Sequence, residues 1–190
     1  MASYCITPLM LQTITKMLTV NNLVGFGSGS GGALTYRYLR FHQTANVGAL
    51  NPASLWELDY SADGGTTYVP TATMTSNTAP SPLVASSDLN AVGYEPYRAF
   101  DNASTTGAPW KTLSGDAHPH WITIDLGAGN GITPNRVRFV TSNDAGDDLT
   151  PKDFTIQGSN TGAFTGEQTT LFTKTNEVTQ PDRTTMTYSF

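Results

Sequence analysis

Cysteine, charge and long apolar runs are all scarce in this chain, and each scarcity removes a class of protein. One cysteine, Cys5, among 190 residues permits no intrachain disulfide and no cysteine-rich zinc site. An unpaired thiol is unusual in a freely secreted protein, so Cys5 fits assembly in a cytoplasm better. Charged residues make up 13% of the chain and the formal net charge is −5. That balance lacks the basic footprint with which proteins hold nucleic acid or anionic membranes, so neither partner is expected. Mild acidity agrees with cation binding instead. The stretch MASYCITPLMLQTITKML has no basic segment, and Gln12, Thr13, Thr15 and Lys16 interrupt it. It therefore reads neither as a secretory leader nor as a membrane span, which needs roughly 20 apolar residues. Catalytic signatures are missing too: G–x–S–x–G, H–E–x–x–H and a phosphate-cradling loop between strand and helix. Only carboxylates paired in space, as in glycoside hydrolysis, would escape such a reading. The acidic residues cluster in turns, so a non-enzyme is expected.

What the chain does hold is Thr, Ser, Asn and Gly, the composition of a turn-rich β protein with hydroxyl-bearing strand faces. GSGSGG marks a flexible linker, taken as 27–33. It separates an arm at 1–26 from one domain's worth of sequence at 34–190. In the arm, Thr7 suits an N-cap and Pro8 the first helical position. Met10, Ile14, Met17 and Leu18 then share one helical face, with Leu11 beside them. So short a helix is marginal in water and needs a surface. Docking on the chain's own domain and insertion into another subunit are both open, and the glycine-rich tether favours the second.

Beyond the linker, alternation predicts strands at YRYLRFH (36–42), LWELDY (55–60), WITIDLG (121–127), RVRFVTS (136–142) and DFTIQGS (153–159). In the second of these, Trp56, Leu58 and Tyr60 are expected together on one face, with Leu55, Glu57 and Asp59 opposite. ADGG, GAGNG and NDAGDD supply the intervening turns. Outside the arm, only 85–98 is a candidate for a helix. A two-sheet sandwich follows, with its loops collected at the ends.

The order of the pieces is informative. AFDNASTTGAPW (99–110), HWITIDLG, ITPNRVRFV and PKDFTIQGSNTG together resemble the discoidin, or coagulation factor five/eight type C, family. The resemblance implies an all-β, galactose-binding-like jelly-roll sandwich and runs across residues 97–162. The pair RYLRF…SLWELDY, which closes many such domains, stands first here. That arrangement looks circularly permuted and is similar to domains of bacteriophage virion proteins, especially tail and fibre components.

The resemblance also implies a structural Ca²⁺ in the 99–110 loop. Calcium takes about six to eight hard oxygen ligands, carbonyls included. The family's ligand positions fall on Asp101, Thr106 and Glu57, with carbonyls of Arg98 and Ala103 as further donors. Asn102 replaces a usual glycine, and Ala103 stands where an Asp or Asn is frequent. An Asx-turn without metal is the competing reading of Asp101. Trp110 and Trp121 match positions that pack in or beside the core. His118 and His120 suggest a metal pair without a third ligand, and a hydrogen-bonding role in their loop is the simpler reading. Asn143, Asp144 and Asp147 are candidates for sugar hydroxyls, against a plain solvated turn.

The expected function is a non-catalytic virion protein, carried in many copies or as a homo-oligomer. Its arm would fix it to capsid or tail proteins of a particle assembled in the host cytoplasm. Its head would decorate the particle or bind host-surface glycans, weak single contacts adding up through avidity. A stand-alone lectin-like adhesion module is the alternative.

Overall fold

A computed structural model describes residues 34–48, 52–104, 106–143 and 148–190. The arm with Met10, Leu11, Ile14, Met17 and Leu18, the linker, and Asp144 and Asp147 lie outside the described residues.

Among those described, strands alternate with turns almost throughout. They are β1 Tyr38–Asn46, β2 Ser54–Ser61, β3 Val84–Ser87, β4 Trp110–Lys111 and β5 His120–Asp125, followed by β6 Arg136–Thr141, β7 Pro151–Ser159, β8 Thr169–Lys174 and β9 Thr185–Ser189. A single 3-10 turn, Pro96–Phe100, precedes β4. The strands form a five-stranded sheet, β3-β5-β1-β7-β8, and a four-stranded sheet, β4-β2-β6-β9. Every described pairing is antiparallel. This is the expected all-β sandwich. The segment 85–98 is not a helix: it holds the end of β3, a loop and the start of the 3-10 turn.

Alternation explains the core. Leu39 and Phe41 of β1, Ile122 and Ile124 of β5, and Phe154 and Ile156 of β7 point inward and are essentially fully buried. They meet Leu58, Val137 and Phe139 from the other sheet in one cluster. Phe41 stacks on Phe154 at 4.7 Å between ring centroids, and Phe139 meets both edge-on at 5.4 and 5.5 Å, the arrangements that ring quadrupoles favour.

Strand β2 departs from simple alternation. A register shift against β6 falls between Leu55 and Glu57, and such a bulge reverses the parity of the faces. Leu55 therefore joins Leu58 and Tyr60 in the core cluster. Trp56, expected with them, instead reaches Asp182, donating from Nε1 to Oδ1 at 3.3 Å, and lies under the Arg183 guanidinium at 4.3 Å. The bulge leaves Glu57 on the face that meets the 101–104 loop.

Candidate functional site

Glu57 is held in the middle of a four-stranded sheet, yet it carries a carboxyl. It is 6% exposed and neither of its side-chain oxygens has a hydrogen-bond partner. Burial pushes its pKa up to about 8, helped by the negative charges of Asp101 and then Asp59. The amides of Ala103 and Asn102 approach closely enough to pull the value partway back. Asp101, at the end of the 3-10 turn, is likewise raised by burial; the Ala103 amide, Arg98 and Glu57 act against that rise. The structure thus brings two expected ligand residues together as facing carboxyl groups.

The other three are placed by the same loop. The Ala103 N–H donates to Asp101 Oδ1 at 2.9 Å, closing the Asx-turn that stands as the competing reading of Asp101. The Thr106 N–H donates to the Ala103 carbonyl at 3.2 Å, and the Thr106 side chain is exposed. Arg98 turns its guanidinium away to Glu95, Nε to Oε2 at 2.9 Å. Asn102 adopts a left-handed φ of 55°, which Asn tolerates, and its Nδ2 donates to Thr73 Oγ1 at 3.0 Å. Glu57, Asp59, Asn102, Ser104, Arg138 and Thr185 line a polar cavity of about 230 Å³ beside this loop. Within it Asp59 is satisfied, accepting from Arg138 Nε and Nη2 at 3.0 and 2.7 Å; the orphaned acid is Glu57.

Two facing carboxyls, one with both oxygens unpartnered, are a donor set that suits a hard cation. Side chains alone do not complete it, because no group of three or more His, Cys, Asp or Glu gathers among the described residues. A calcium ion here would need backbone carbonyls among its ligands.

His118 lies in the β4–β5 connection and His120 opens β5, where it takes the hydrogen-bonding role that was the simpler reading. His120 is 1% exposed and its Nδ1 pairs with Asp88 Oδ2 at 2.8 Å, while Asp88 Oδ1 accepts the Trp121 N–H at 3.1 Å. His118 lies 5.0 Å from His120 between ring centroids, and its pKa is lowered by burial and then by His120. His120 and the Trp121 N–H thus tie the start of β5 to the loop after β3, while neither ring nitrogen of His118 has a hydrogen-bond partner. Asp88, the residue that organises them, stands 32 positions upstream of His120, and no local pattern signals it.

Asn143 is similarly engaged. Its N–H donates to Asp182 Oδ1, its Nδ2 to the Gln180 carbonyl, and its Oδ1 accepts from Leu149 N–H, at 2.9, 2.8 and 3.1 Å. Both ends of the amide thus brace the β6–β7 connection. Around it, connections gather at one end of the sandwich: Val47 donates to the Thr150 carbonyl, Gly48 to that of Asp148, and the Ala53 N–H to Thr112 Oγ1. Leu89, Val92 and Leu113 on neighbouring connections are exposed. Trp110 is fully buried in the core, whereas Trp121 is half-buried on the outer face of the five-stranded sheet.

No helix among the described residues is long and apolar enough to cross a membrane. No curated protein and no solved structure matches the chain. The F5/8 type C domain does match, over residues 82–189, which is more than half of the sequence. With two antiparallel sheets, the acid-bearing loop after the 3-10 turn and that match in agreement, the chain belongs to the F5/8 type C domain family, whose members are typically ligand-binding modules.

Proposed function

We propose that this protein is a non-catalytic attachment module of a bacteriophage virion, a discoidin-like head joined through an N-terminal arm to capsid or tail proteins. The observation that carries the binding role is the gathering of residues 47–48, 52–53, 112–119, 142–143 and 148–150 at one end of the sandwich. Rigid strands presenting several adjoining loops are the usual platform for recognition. The virion assignment rests on the strand order. β1 and β2 precede the matched range, yet they lie at internal positions of the two sheets. We read that order as similar to the rearranged arrangement that the sequence resembles in phage tail and fibre proteins. A host-surface glycan is the ligand proposed for the loop end, and repetition of the head on a particle would supply avidity.

Calcium is the proposed structural ion. The Glu57 and Asp101 carboxyls would hold it with carbonyls of Arg98 and Ala103 and the Thr106 hydroxyl. When bound, it supplies charge compensation for the two acids and fixes the loop; it takes no part in a reaction.

The test uses the full chain and a variant lacking residues 1–26, expressed during infection with a phage that encodes the protein. The full chain is expected to co-sediment with particles, and the truncated chain to remain folded and free. Normal incorporation of the truncated chain would overturn the anchoring role. Glycan-array binding by a protein that joins no particle would favour the stand-alone lectin.

A further inference from the structure

We propose a second ligand site, on the outer face of the five-stranded sheet and away from the loop end, that takes a single neutral sugar ring. The register builds it. Ser86, Thr123, Arg40 and Gln157 stand side by side across β3, β5, β1 and β7. Val84, Asp125 and Tyr38 form the next row, and Trp121 flanks Thr123 on the other side, two residues along the same strand. All share the outward face, because Ile122 and Ile124 between them point into the core.

A loop then closes one side. The β7–β8 connection folds back over the sheet, and Gly162, Ala163 and Phe164 join all of these residues except Gln157 in lining a cleft of about 160 Å³. Its fold is specified closely. Glu167 Oε1 accepts from Ser159 Oγ, Thr161 Oγ1 and the Phe164 N–H, at 2.9, 2.9 and 2.7 Å. Gly162 has a φ of +77°, and a Cβ there would come within 2.9 Å of the Tyr38 ring. Phe164 holds a left-handed φ of 50°, unusual for a bulky residue. That conformation sets its ring over the Arg40 guanidinium at 4.0 Å, with Trp121 at 5.9 Å from the same group.

The chemistry of the walls selects the ligand. Three aromatic rings, Tyr38, Trp121 and Phe164, offer surfaces for the C–H faces of a pyranose. Thr123 is 5% exposed and its Oγ1 has no hydrogen-bond partner, so the floor carries an unanswered hydroxyl. Asp125 supplies an acceptor, fixed by Arg37 through Nε–Oδ1 and Nη2–Oδ2 contacts of 2.7 Å each. Arg40 donates from Nε to Gln157 Oε1 at 2.7 Å. The charges balance: Arg37 and Arg40 face Asp125 and Glu167, which favours a neutral ligand over an acidic one. The cleft is smaller than the roughly 300–1,000 Å³ of sites for drug-sized molecules, so it accommodates one ring and not an oligosaccharide.

The experiment titrates the full-length protein with methyl hexopyranosides and, in a parallel arm, methyl glucuronide, following Trp121 indole and Phe164 ring signals by NMR. Neutral glycosides are expected to shift both rings and to saturate in the millimolar range. Trp121→Ala should weaken that binding about tenfold through lost stacking, and Thr123→Val about three- to tenfold through a lost hydrogen bond. Thr123→Val also serves as the folding control, since it removes an unpartnered buried hydroxyl and should leave the melting temperature unchanged or raised. The site is refuted if no neutral glycoside moves these rings, if only the glucuronide does, or if Thr123→Val binds as tightly as the parent. Shifts confined to the 112–119 and 142–150 connections would refute it as well, while leaving the loop-end reading intact.

Discussion

Glu57 holds a proton that its surroundings make hard to lose. Its pKa near 8 in the folded chain compares with an ordinary value of 4.5. Between those values the native state carries a proton that the unfolded chain has released. Stability without metal is therefore greatest at and below the ordinary value, and falls as pH rises through the folded one. The limiting slope for one proton is about 1.4 kcal/mol per pH unit. In chelator, urea unfolding of the parent should show this decline between about pH 5 and pH 8, and Glu57→Gln should flatten it. Parallel profiles for the two proteins would show that Glu57 is not the responsible group. At this scale the sequence was legible where chemistry is local or the family fixes a position: Glu57 and Asp101 do face each other. It was not legible for Asp88, whose link to His120 exists only once β5 lies beside the loop after β3.

Individual strands were readable from their buried faces, and the period-two patterns at 36–42, 121–127, 136–142 and 153–159 overlap β1, β5, β6 and β7. The bulge in β2 was not, since one extra residue leaves the apolar pattern almost unchanged while moving Trp56 out of the core and Leu55 into it. Close packing between elements is hidden in the same way. Gly158 in β7 has no unusual φ, so nothing about turns demands glycine there. The demand comes from Tyr36, whose ring carbons would clash with an added Cβ. Tyr36 cannot easily withdraw, because its backbone exchanges hydrogen bonds with Ile132 at 2.7 and 3.1 Å. Gly158→Ala should therefore cost about 1–3 kcal/mol in chemical denaturation, the usual range for overpacking. Combining it with Tyr36→Ala should cost less than the sum of the two single changes, as expected for residues in contact. Additive costs would mean that the ring is not the obstacle.

At the scale of the whole molecule, the family match starts at residue 82, whereas the sandwich needs strands from residue 38 onward. β1 lies between β5 and β7, and β2 between β4 and β6, so both sheets depend on a segment outside the match. The acid-bearing loop joins these parts: Glu57 comes from β2 and Asp101 from the matched region, and Met74 reaches the same place by donating to the Phe100 carbonyl at 3.0 Å. A cation held there would link segments far apart in sequence, so its effect belongs to global unfolding and not to one loop. Binding to the native state alone adds about 2.7 kcal/mol when the free ion is at a hundred times its Kd. For a chain of this length that corresponds to roughly 5–10 °C in melting temperature. Calorimetry in calcium and in chelator should show such a rise. Magnesium should give less, because it demands a tighter octahedral shell and keeps its water. Asp101→Asn and Glu57→Gln should each reduce the calcium shift while the variants remain folded in chelator. Equal melting temperatures in calcium and chelator, with no metal found by elemental analysis, would overturn the cation.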